Sequence, residues 1–174
     1  LPVFISSFFA HITCHAWGIA HTHYSITQTP ELNIQTLLTV LAASIIFGLA
    51  AMVFSRLIGT WGNLAKKYIS YPPLRPFVGG IFIALSVYLI GNTKYIGLGV
   101  PTIVASFSEV QMWYDPLMKI LLTTFTIGVG FKGGEVTPLF FVGATLGSAL
   151  SAILPLHVSI LAGLGFVAVF AGAT

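Results

Sequence analysis

The sequence predicts an all-α, polytopic integral membrane protein with tilted and broken helices. Three observations carry that expectation. Of the 174 residues, 56% are hydrophobic and 6% charged, against about 25% charged in a typical soluble domain. A chain with so few charges cannot cover itself with solvated surface, and lipid must do much of the covering. The mean hydropathy is +0.98. Apolar runs recur along the whole chain between Pro, Gly and short polar stretches, and the unit of such a chain is the spanning helix of about 20 apolar residues.

Composition also excludes several functions. A formal net charge of +3 on scattered Lys and Arg forms no clustered patch for a nucleic acid. Cys14 stands alone, so no internal disulfide forms. Residues 1–10 are apolar without a basic flank, unlike a signal peptide. The chain opens on Leu1 and stops at Thr174 inside an apolar run, and it is read as a fragment cut at both ends. His11 and His15 stand four apart, with His21 and His23 beyond. A metal site uses such spacing, but no carboxylate or HExxH accompanies them. Filling of a helix interface or an external loop is the expected role. With no metal motif and no nucleophile–base pair, neither an enzyme nor a cofactor is expected.

Residues 1–20 read as the end of a spanning helix, and His21 to Gln28 as a loop. Pro30 and Glu31 are expected to start a helix, since Pro suits a first turn and Glu complements the positive end of the dipole. From Asn33 to Tyr68 there is no Pro, and the run reads as one long tilted helix. Tyr71-Pro72-Pro73 breaks the chain before the apolar run Phe77 to Ile90. Arg56, Lys66, Lys67 and Arg75 flank this junction and place it in the cytoplasm. Gly91-Asn92-Thr93-Lys94 ends the run. Irregular apolar backbone follows, then a short interfacial helix from Thr102 to Met112. Pro116 opens the run Leu117 to Val129. Later runs extend from Pro138 to Leu154 and from His157 to Ala173. Several are shorter than a bilayer, and half-helices at membrane depth hold ions in many transporters.

The chemistry concentrates in Gly128-Val129-Gly130-Phe131-Lys132-Gly133-Gly134-Glu135-Val136-Thr137-Pro138. Pro138 suits an early helical position. The amides of Glu135, Val136 and Thr137 then belong to the unpaired donors of a helix N-terminus, which is an anion site. The glycines are expected to bring backbone close to the ion and to adopt positive φ. Amide dipoles attract an anion without a full charge that would hold it too tightly. Residues 128–133 also spell G-x-G-x-x-G, but that string binds dinucleotides only between a strand and a helix, and an apolar helix precedes it here.

Gly134-Glu135-Val136-Thr137-Pro138 resembles the G-x-F-x-P motif of the CLC chloride channels and anion/proton antiporters, where it opens the helix called N. Pro30 to Tyr68 looks like the family's long helix J, Pro73 to Gly91 like K, Pro116 to Gly130 like M, and Gly163 to Thr174 like the start of O. Val136 replaces the usual Phe, and Glu135 and Thr137 are polar where the family is apolar or small. With the stretch from Gly91 to Ile103, this resembles the fluoride-exporting CLC-F branch.

The resemblance implies an inverted-repeat fold, with residues 1–30 ending the first repeat and its external loop and residues 31–174 forming most of the second. It implies fluoride/proton antiport in a cell membrane, a bacterial inner membrane, by a homodimer with one pore per subunit. Fluoride or chloride, protons and the lipid bilayer would be its partners. The anion would lie on Gly134, Glu135, Val136, Thr137 and Pro138. Fluoride accepts hydrogen bonds well, so the Thr137 hydroxyl can donate to it. Glu135 would be protonated near the ion or held away by Lys132; a structural Glu135–Lys132 ion pair and a bare N-cap role for Thr137 are the plainer readings. The family's gating glutamate motif, G-[KR]-E-G-[PT], and its central tyrosine are not in this sequence, so this chain alone is not expected to form a complete pore. Gly143, Ala144, Gly147 and Ser148 form a small-residue face for close helix packing. Trp17, Trp61, Trp113 and Tyr114 read as interfacial anchors.

Overall fold

A computed structural model describes residues 2–19, 22 and 24–174. The elements among these are all helices: α1 (Pro2–Ala16), α2 (Ile34–Tyr68), α3 (Leu74–Ile90), α4 (Val100–Ala105), α5 (Asp115–Gly128), α6 (Val136–Leu150) and α7 (Val158–Ala173). No strand precedes the 128–133 glycines, and α5 runs directly into them, which removes the dinucleotide reading. His21 and His23 lie outside the described residues.

At 1.5 Å per residue, the 35 residues of α2 extend about 52 Å, well beyond the roughly 30 Å hydrocarbon core. The helix must therefore tilt or project. Its buried residues are Thr39, Ala43, Phe47, Ala51 and Phe54. Their spacing of four, four, four and three is one narrow stripe. Leu37, Leu38, Leu41, Ile45, Leu49 and Val53 stay exposed on the other faces, as expected where lipid is the solvent. Pro30 and Glu31 do not start this helix. Asn33 caps it, its side chain accepting from the Thr36 amide at 2.7 Å, and an Asn oxygen outcompetes Pro as a helix initiator because it satisfies an orphan donor.

The core gathers where α2, α5, α6 and α7 meet. Phe47, Phe54, Ile120, Leu139, Val142, Leu161 and Val169 pack there. A second cluster joins Tyr95, Ile103, Phe107, Phe141, Ala144 and Ala162 beside α4. The small-residue face of α6 does what its composition suggests. A Cβ on Gly143 would collide with the Gly165 carbonyl, one on Gly147 with the Leu161 carbonyl, and one on Gly165 with the Gly143 carbonyl. Helices α6 and α7 therefore touch backbone to backbone.

Other boundaries shift. The short helix begins at Val100 and ends at Ala105, instead of running from Thr102 to Met112. Gly99, at φ +68, turns the chain into it, and Phe141 leaves no room there for a Cβ. Gly91, at φ +65, ends α3. The expected run to Leu154 stops at Leu150, where 151–156 become turns. His157 caps α7, its Nδ1 accepting from the Ser159 amide at 3.3 Å. Trp61 is no interfacial anchor. It stacks edge-on against Phe125, with centroids 5.3 Å apart, and its buried Nε1 has no partner among the described residues. Trp17, Trp113 and Tyr114 are exposed, in keeping with anchoring.

Candidate anion site

Helix α6 starts at Val136, two residues before Pro138, which becomes its third residue. Its first internal bond runs from the Leu139 amide to the Glu135 carbonyl at 3.1 Å. Among the described residues no acceptor serves the amides of Glu135, Val136 or Thr137, nor those of Gly133 and Gly134. Pro138 has no amide to offer, so it extends the helix without filling the donor gap. The result is a cluster of free N–H groups at the positive end of a helix.

The predicted site residues are thus brought together, with three corrections. Gly133 and Gly134 do not have positive φ, and a Cβ at either would meet nothing within 4 Å. The left-handed residue is Gly130, at φ +107, which turns the chain out of α5; Gly133 and Gly134 leave open space beside the amides. Glu135 forms no ion pair with Lys132: the ion pair among the described residues joins Lys94 and Asp115. Thr137 is not a cap, since Glu135 holds the cap position without a side-chain bond. The Thr137 hydroxyl, half-buried at the helix start, has no hydrogen-bond partner among the described residues.

Residues 131–136 are exposed while Pro138 and Leu139 are buried. The helix body is anchored and its positive end faces outward. The aromatic side of the same helix is fixed by Phe140, which stacks on Phe166 with centroids 4.0 Å apart and planes 7° from parallel.

A second polar constellation escaped the sequence reading. Asp115, at the first turn of α5, accepts from Tyr95 Oη at 2.6 Å, Lys94 Nζ at 2.6 Å and the Met112 amide at 3.2 Å. One turn on, Lys119 is 1% exposed. Its Nζ donates to the Tyr95 and Gly97 carbonyls at 3.0 and 2.7 Å and stands 5.0 Å over the Phe141 ring. The signal was present: an Asp and a Lys four apart at the start of an apolar run are costly in a membrane and call for partners.

The described residues form an all-helical bundle with apolar side chains exposed along α2 and a cluster of unpaired amides at the start of α6. The comparisons agree. The family model for voltage gated chloride channels matches residues 1–174. A chloride/fluoride channel protein of Pseudomonas syringae is 46% identical over 178 residues, covering 99% of this chain and 39% of the relative. An uncharacterized protein of Methanocaldococcus jannaschii is 27% identical over 137 residues, 75% of this chain and 34% of that one. The crystal structure of a CLC-type fluoride/proton antiporter superposes with a TM-score of 0.90 at 34% identity, covering 99% of this chain and 44% of its own. The chain belongs to the voltage-gated chloride channel (CLC) family, whose members are integral membrane transport proteins, not enzymes. It spans less than half the length of these relatives.

Proposed function

We propose that the protein containing this chain exports fluoride in exchange for protons, with the anion held by the amides at the start of α6. The observation that carries the reading is the set of unpaired amides at Glu135, Val136 and Thr137 beside the free Thr137 hydroxyl. The likeness to a chloride/fluoride channel protein and to a fluoride/proton antiporter supports the choice of ion. In this reading residues 1–30 end a first repeat and 31–174 make most of a second. The whole protein is a homodimer in a bacterial inner membrane.

Thr137 donates to fluoride through its hydroxyl. Glu135 stands exposed beside these amides with no bond to Lys132, and in this reading its side chain acts at the ion. Glu135→Gln places a neutral donor at this position and should keep fluoride selectivity, whereas Glu135→Ala should lose it. Intact transport and selectivity in both variants would refute the role.

The decisive experiment is fluoride efflux from liposomes holding the full-length parent, with chloride as competitor, for wild type and Thr137→Ala. Efflux that chloride barely affects, and that Thr137→Ala slows, supports fluoride export. Equal passage of chloride points to the alternative, a chloride channel or chloride/proton antiporter. No anion movement at all would leave a structural membrane subunit.

A further inference from the structure

A cavity of about 260 Å³ lies between α3, α5 and the 95–97 loop, and it reaches the start of α6 at Gly133, Gly134 and Pro138. One face of α5 supplies its polar wall. Lys119, Thr123 and Thr126 all line it, and their spacing of four and three puts them on one side of the helix. The far wall is apolar, from Ile83 and Val87 of α3.

The charge balance of this wall is uneven. Lys119 carries a buried ammonium with no carboxylate of its own among the described residues. The near carboxylate, Asp115, is engaged by Tyr95, Lys94 and the Met112 amide. Among the described residues Lys119 meets two carbonyl dipoles and the Phe141 ring. An ammonium has three donors, and these two carbonyls leave one without a protein acceptor among the described residues. Four residues on, the Thr123 hydroxyl has no hydrogen-bond partner among the described residues either, whereas Thr126 donates back to the Leu122 carbonyl at 2.6 Å. A buried charge without a counter-ion is expensive in low dielectric. The cavity beside it can receive the ion that offsets that expense.

We propose that this cavity is a second anion site, a vestibule in which Lys119 and Thr123 hold a small monovalent anion before it reaches the amides of α6. The inference rests on the anion-transport reading above and adds a place where the ion waits. Lys119 supplies the attraction. Thr123 supplies a neutral donor on the way to Gly134. The paired carbonyls of Tyr95 and Gly97 weaken the ammonium's field, so the ion can leave for α6. An anion drawn by such a charge raises the local concentration at the next site. Loss of the vestibule should therefore appear as weaker apparent affinity with the maximal rate less affected.

The test uses the full-length parent in liposomes. Initial fluoride efflux is measured against internal fluoride concentration for wild type, Thr123→Val, Lys119→Met and Thr137→Ala. Thr123→Val is nearly isosteric, and the residue is half-exposed, so this variant should fold. It should raise the half-saturating fluoride concentration about three-fold, and Lys119→Met about ten-fold or more, each with a smaller change in maximal rate. A purely structural Lys119 would lower the maximal rate or the melting temperature and leave half-saturation unchanged. Unchanged half-saturation in Thr123→Val would overturn the proposal, even where Lys119→Met fails to fold. Wild type that moves no anion would overturn both readings. Wild type that transports normally, with an effect of Thr137→Ala and none of Thr123→Val, would overturn the vestibule alone.

Discussion

The two ends of α6 are built in opposite ways. Toward its C-terminus, Gly143 and Gly147 lie against the backbone of α7 so closely that no Cβ fits. At its N-terminus, Glu135, Val136 and Thr137 present unpaired amides to open space, and nothing crowds Gly133 or Gly134. One helix thus has a closed end that fixes it and an open end that can receive an ion. A dipole end acts on an ion without reorganising only if the helix behind it cannot move. The contact with α7 provides that immobility.

Breaking the closed end should have the largest effect. Gly147→Leu forces a side chain into the Leu161 backbone. Overpacking costs about 1–3 kcal/mol even where side chains can shift, and backbone cannot. The expected outcome is loss of the monodisperse folded protein, read by fluorescence-detected size-exclusion chromatography after heating. Retention of wild-type stability would mean that α6 and α7 separate more easily than their contact implies.

Next comes the support under α5, which also faces α6. Asp115→Ala would leave Tyr95 Oη and the Met112 amide without their acceptor, and Lys94 Nζ with Gln111 Oε1 alone. Removing one partner of a buried pair costs about 3–5 kcal/mol, and the partial exposure of Lys94, 25%, points to the lower end of that range. A fall in melting temperature should follow, with a smaller fall for Asp115→Asn.

The open end should respond differently. Thr137→Ala removes a hydroxyl with no hydrogen-bond partner among the described residues, so stability should change by less than about 0.5 kcal/mol while fluoride efflux slows. A large fall in melting temperature with unchanged flux would reverse the assignment and make the α6 start structural. A last variant, with no expected effect on transport, sharpens the contrast between a capped and an uncapped helix. Asn33 closes the start of α2 with its side chain, whereas α6 has no side-chain cap. Asn33→Ala should cost about 1 kcal/mol, seen in the melting temperature without a change in transport.

Much of this was legible from local chemistry. Few charges and repeated apolar runs dictated helices in lipid. Gly91 and Pro116 marked a helix end and a helix start, and Pro138 marked the donor-rich start of α6, because these residues act through their own φ, missing amide or missing Cβ. The motif from Gly134 to Pro138 was readable for the same reason: a helix start exposes the amides of consecutive residues, and sequence order places them.

What only the tertiary structure decided depends on partners far apart in the chain. Whether Lys132 reaches Glu135 is a matter of side-chain direction, and it does not. The small residues of α6 announced close packing, but the backbone they meet, at Leu161 and Gly165, was set by how α7 docks. Lys119 looked like one charge in an apolar run. Only folding brings to it the carbonyls of Tyr95 and Gly97 and the ring of Phe141, because the cost of a buried charge can be met only by groups that tertiary structure delivers.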